Sequence, residues 1–123
     1  MWCRGIRGAT TVENNDRDEI LDATTELLTQ MIEANDIRPE NVAYAMFTVT
    51  PGLNAEFPAL AARYLGWTNV ALLCGQEIDV PGSLQQCIRI LVLLNTDKSA
   101  NEIVHVYIKG AVNLRPDANG PKG

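Results

Sequence analysis

Residues 87–95, CIRILVLLN, form a run of apolar side chains broken by a single charge, Arg89. A segment of this kind belongs in a core, and an arginine keeps its proton at every physiological pH, so it is costly there unless an anion faces it. The fold must therefore bring Arg89 to a carboxylate of its own chain, to a carboxylate of a neighbouring subunit, or to a ligand. The preceding stretch, GQEIDVPGS, is a loop by composition, and Ser83 is placed to cap a helix over about 84–94 that is apolar on nearly every side. Arg89 is thus expected on a buried helix.

The rest of the chain alternates between strand and helix signals. WCRGIR at 2–7 reads as a first strand, followed by turn and cap chemistry in GATTVENN. Asp16 and Glu19 have capping-box spacing, and Ile20, Leu21, Leu27, Leu28, Met31 and Ile32 then recur at helical period until the stop signal NDIRP. VAYAMFTVT at 42–50 predicts a largely buried strand ending at Pro51-Gly52. A short helix over FPALAARYL has Pro58 in its first turn and Gly66 at its left-handed cap, and WTNVALLC at 67–74 predicts a third strand. In EIVHVYIK at 102–109, Val104, Val106 and Ile108 alternate with His105, Tyr107 and Lys109, which gives a strand with one polar face. These elements predict an α+β fold: one sheet, of mixed strand direction, covered by helices. A single domain over 1–117 is expected, with 118–123 as a flexible tail.

Charge and cysteine usage narrow the function. A formal charge of -5 argues against a nucleic-acid or anionic-membrane surface, and no run is long enough to span a bilayer. Cys3, Cys74 and Cys87 are odd in number and form no C-x-x-C, so neither a disulfide framework nor a zinc site is indicated, and a reducing, cytoplasmic setting is expected. His105 is the sole histidine and has no ligand cluster or nucleophile elbow around it; it reads as an ordinary strand residue, with no metal implied. The glycines of RGIRG do not match a phosphate-binding fingerprint, so no nucleotide cofactor is implied. Glu77, in QEID, is placed to meet Arg89, either as a plain intrachain ion pair or as part of a site that Arg7 and Tyr107 could join. Cys74, near Glu77, is by itself an ordinary small buried residue.

Four blocks in order, MWCRGIRGATTVE, TPGLNAEFPALAAR, CGQEIDVPGSLQQCIR and HVYIKGAVNLRPD, resemble the monofunctional chorismate mutases of the small trimeric class typified by bacilli, over residues 3–117. The resemblance implies a trimeric pseudo-α/β-barrel with an active site at each subunit interface. It also implies the rearrangement of chorismate to prephenate, a step of aromatic amino acid biosynthesis that needs no metal, cofactor or covalent intermediate. Carried over by residue, it places Arg7 and Tyr107 on a substrate carboxylate, Arg89 on the ether oxygen and a nearby carboxylate, Glu77 on the ring hydroxyl and Cys74 beside Glu77. Phe57, Ala59 and Arg63 would come from the adjacent subunit, and Leu73, Gly75, Ile78, Leu114 and Arg115 would complete or border the pocket. Leu60 stands where the family can carry lysine, and Gly75 where it carries a bulkier residue, differences that bear on the outer pocket.

Two other readings use the same residues: a non-catalytic trimer that binds a small carboxylate, and an imine or enamine hydrolase on a similar trimer. Exposure to chorismate separates the three.

Overall fold

The structure, a computed structural model, describes residues 1–114. Strand β1 (Trp2–Thr11) is longer than the predicted 2–7, because GATT continues in extended form to pair with a partner along its whole length. Helix α1 (Arg17–Asn35) starts where its cap chemistry requires: the Asp16 carboxylate accepts the Glu19 amide at 3.0 Å. The reciprocal half of the capping box does not form. Glu19 instead accepts the amides of Glu13 and Asn14, so it ties the helix to the turn that follows β1. Asp36 then ends the helix in the left-handed conformation, φ 52°.

Strand β2 (Val42–Val49) and helix α2 (Ala59–Tyr64) lie close to their predicted positions, with Gly66 after α2 at φ 98°. Strand β3 (Ala71–Gln76) starts later than expected, since Trp67 is drawn into the core and the residues after it turn. Strand β4 (Cys87–Thr96) is the main correction: the segment expected as a buried helix is the central strand of the sheet. Its apolar residues occur at both parities, a pattern that a short buried helix would share, although only the even-numbered ones are fully buried along 88–94. Ser83, expected as its helix cap, instead donates to the Val80 carbonyl in the preceding turn. Strand β5 is only Val106–Tyr107; of the predicted 102–109 strand, 103–105 and 108 are irregular, and 3₁₀ turns at Ala100–Glu102 and Lys109–Ala111 take its two ends.

The sheet order is β3-β2-β4-β1-β5, with β4 antiparallel to both β1 and β2, and the outer pairs β2/β3 and β1/β5 parallel. This is the expected α+β architecture with a mixed sheet. One face is covered by the helices: Ile6, Ala45, Phe47, Ile90, Val92 and Leu94 pack there with Leu27, Leu28 and Met31 of α1 and Ala59 and Ala62 of α2. Each large side chain buried in this layer contributes about 1.5–3 kcal/mol. Alternation sends Arg7, Tyr44, Met46, Thr48, Leu73, Arg89 and Leu91 to the other face, which neither α1 nor α2 covers; the 3₁₀ turn at Lys109–Ala111 packs on it only beside Ala9, Cys87 and Tyr107.

Gly8 lets α1 lie directly on β1. A Cβ there would overlap Met31 Sδ and come within 3.1 Å of Leu27. Gly8→Ala is therefore expected to destabilise the protein by about 1–3 kcal/mol in urea denaturation, with a smaller penalty in a Met31→Ala background. Equal penalties in the two backgrounds would show that the α1 contact is not the cause.

Candidate active site

Strand register builds the site. Thr48 pairs with Gly75 on one side and Arg89 on the other, Arg89 also pairs with Ala9, and Ala9 with Tyr107. A single row, Gly75–Thr48–Arg89–Ala9–Tyr107, thus crosses all five strands on the uncovered face. One step along, Leu73, Met46, Leu91 and Arg7 form the next row. A cavity of about 420 Å³ opens over these rows, lined by Arg7, Met46, Thr48, Glu77, Arg89 and Tyr107 among others.

Glu77 lies just past β3, and its amide donates to the Val49 carbonyl at 2.9 Å. Its Oε2 accepts the Thr48 hydroxyl. The same oxygen is 3.9 Å from Arg89 Nε, an ion-pair separation too long for a hydrogen bond. Arg89 Nε is buried and makes no hydrogen bond. Glu77 is therefore oriented by Thr48 and offsets the charge of Arg89 without occupying its buried donor. Cys87, two residues before Arg89, is buried, and burial pushes its thiol pKa up while the guanidinium pulls it back.

Arg7 and Tyr107 reach this cavity from β1 and β5. Among the described residues, no carboxylate lies within ion-pair distance of Arg7. Tyr107 was expected on a polar strand face; it is buried, packed with Ala9, Cys87 and Ala111, with Leu114 against the same cluster. Ile78, which also lines the cavity, is 83% exposed. The cavity therefore holds two guanidiniums against one carboxylate, an excess of positive charge in an acidic chain.

The remaining site residues gather elsewhere. Phe57, Ala59, Leu60, Arg63, Leu73 and Cys74 line a second cavity, of about 490 Å³, between α2 and β3. Cys74 is half-buried there, where burial raises its thiol pKa against the Ala59 amide and the charge of Arg63. It lines this hollow and not the cavity of Glu77. Gly75 faces Met46, whose Cε would be 3.3 Å from a Cβ at this position. Arg115 and the 118–123 tail lie outside the described residues. Thr48, which holds Glu77, was missed in the sequence; its pairing with Arg89 is visible only once β4 is known to be a strand.

Fold and side chains define the class: an α+β protein with a cation-rich cleft on the uncovered face of its sheet and a second, aromatic-lipped hollow at the sheet's edge. Residues 3–118 match the family chorismate mutase type I. The chain is 48% identical over 118 residues to the chorismate mutase AroH of Bacillus subtilis, covering 95% of this chain and 93% of that one. It is 51% identical over 115 residues to the chorismate mutase AroH of Thermus thermophilus, covering 93% and 94%. A solved chorismate mutase from Clostridium thermocellum superposes with a TM-score of 0.86 at 52% identity, over 88% of this chain and 96% of that one. The chain belongs to the chorismate mutase type I family.

Asn15 and Arg17, the first residue of α1, clasp the chain that leads into the α2 hollow. Asn15 Oδ1 accepts the amides of Asn54 and Ala55 at 3.0 and 2.9 Å, and its Nδ2 donates to Asn54 Oδ1. Arg17 Nε bonds Glu56 Oε1 at 2.9 Å, while Glu56 Oε2 accepts the Phe57 amide. Both contacts are largely exposed, so their net worth to global stability is small, yet they fix the path of the chain into Phe57. Asn15→Ala is expected to speed hydrogen exchange at the Asn54 and Ala55 amides by about tenfold with little change in melting temperature. Unchanged exchange at both amides would mean the clasp does not hold this loop.

Proposed function

We propose that the protein catalyses the rearrangement of chorismate to prephenate, in a site made from the Arg89 cavity of one copy and the α2 hollow of a neighbour in a homotrimer. The single observation that carries the mechanism is the buried Arg89 Nε without a hydrogen-bond acceptor, beside a carboxylate already engaged by Thr48.

Chorismate carries two carboxylates, which suits a cleft with excess guanidinium. Arg7 and Tyr107 take one of them. In the pericyclic transition state the C–O bond breaks ahead of full C–C bond formation, so negative charge builds on the ether oxygen. Arg89 donates there and stabilises the transition state more than the bound substrate, a preorganised contact worth about 3–4 kcal/mol. Glu77, immobilised by Thr48, holds the ring hydroxyl; no proton has to move, so it acts as an orienter. Holding the side arm over the ring in a chair-like pose adds an orientational share.

The second cavity fits the neighbour's role. Phe57, 70% exposed, and Arg63, with no carboxylate within ion-pair distance among the described residues, offer an aromatic lid and a further cation. On this reading Cys74, which lines this hollow, belongs to the α2 side of the composite site, with Ala59, Leu73 and Gly75 around it. Leu60 makes this wall less cationic than a lysine would.

Purified protein is expected to consume chorismate with prephenate as sole product; tight binding without conversion would instead support a carboxylate-binding module. Arg89→Lys is expected to lower kcat by about a hundredfold or more, because an ammonium cannot reproduce the planar fork. Joint replacement by Arg89→Gln and Glu77→Gln is expected to leave almost no catalysis; wild-type turnover in that variant would reduce Arg89 to a mere counter-charge. Light scattering is expected to give a mass of three 13.5 kDa chains.

A further inference from the structure

Strand β5 is two residues long, and only Gly8 and Ala9 of β1 pair with it, opposite Val106 and Tyr107. One step back along this register, Arg7 faces His105, where β5 has not yet begun. The Arg7 amide points to this edge, and a donor left there without an acceptor is costly. The His105 side chain fills the place: its Nδ1 accepts the Arg7 amide at 3.0 Å.

His105 is itself held from the opposite side. Asn35, 1% exposed at the end of α1, accepts the Val104 amide through Oδ1 and donates to the Val104 carbonyl through Nδ2, both at 2.8 Å. A continuous chain of contacts therefore runs from α1 through Asn35 and the Val104 peptide to His105, and from its ring to the backbone of Arg7. Arg7 and Tyr107 lie at either end of this short ladder and line one cavity.

We infer that His105 is a positioning residue, whose unprotonated Nδ1 pins the Arg7 backbone so that the Arg7 guanidinium and the Tyr107 hydroxyl meet one carboxylate of the substrate; this rests on the mutase reading above. The bond requires the ring proton on Nε2, since a protonated Nδ1 would face the amide donor with another donor. Replacing the ring therefore acts on carboxylate binding more than on the breaking of the ether bond, which falls to Arg89.

The chain has one histidine, so its ring nitrogens can be assigned without ambiguity. In uniformly ¹⁵N-labelled protein at neutral pH, a nitrogen–nitrogen coupling across the hydrogen bond is expected between the Arg7 amide and His105 Nδ1. Its absence would overturn the inference whether or not the protein turns over chorismate. With chorismate, His105→Leu is expected to raise KM by about tenfold with a smaller change in kcat. His105→Asn, whose Oδ1 can take the place of Nδ1, is expected to restore most of the loss. If both variants fold and show wild-type KM, or if Leu and Asn are equally impaired, His105 does not position Arg7. Should wild-type protein leave chorismate untouched while the coupling is present, the mutase reading falls and the pinning of Arg7 stands.

Discussion

The antiparallel pairing of β4 with both β1 and β2 governs the rest of the molecule. It places Arg89 in the middle of the sheet, between Thr48 and Ala9, on the face the helices leave open. Were β4 an edge strand, its guanidinium would reach bulk water, and its donors would be hydrated at little cost. In the centre it is partly desolvated, with Nε buried, and the nearest carboxylate is at ion-pair distance without being hydrogen-bonded to that nitrogen. Glu77 offsets part of the cost of holding this charge, and the buried Nε gains a partner when a further acceptor arrives. Electrostatic preorganisation has this form: the dipole is in place before the charge it serves appears.

The stiffness behind that arrangement comes from the covered face. Even-numbered residues of β4 from Ile88 to Leu94 are buried, and α1 lies close on β1 at Gly8. Because side chains alternate across a strand, fixing the apolar set on one side also fixes which residues can reach the cleft. A slip of one residue would bury Arg89 under α1 and send Ile88 or Ile90 to the ligand. Hydrophobic packing on one face thus specifies the chemistry on the other, and Asn35 extends the same control to β5 through Val104.

Local chemistry made much of this fold readable. Asp16 before a helical apolar stripe, Pro58 and Gly66 bracketing a short helix, and VAYAMFTVT before Pro51 each carried a signal confined to a few residues, and each element lies close to its expected place. The segment 84–94 was not readable in this way. Cys87 to Leu94 is apolar at both parities, which a buried helix and a central strand share, and only the partners on either side decide between them. That one misreading concealed Thr48, whose role depends on register. His105 was obscure for another reason: nothing in a sequence announces that an imidazole will stand in for the missing acceptor of a strand that ends early. The site residues themselves came from resemblance to a family, because their convergence depends on pairings over dozens of residues.

The division of those residues between two hollows and the apolar character of the open face have a common physical explanation in the proposed assembly. Leu73 is 61% exposed, Phe57 70% and Ile78 83%, all of them beside one cavity or the other. Leaving them in water forgoes about 25 cal/mol for every Å² that a second copy could cover. A contact between copies that laid the α2 hollow of one over the Arg89 cleft of the next would bury this surface and bring Arg63 towards Arg7 and Arg89. Three guanidiniums drawn together repel one another, so apolar burial must drive assembly while the cations oppose it, and a dianionic substrate relieves that repulsion when it binds. On this account association and substrate binding support each other: the copies create the field that holds the dianion, and the dianion removes the repulsion that strains the contact.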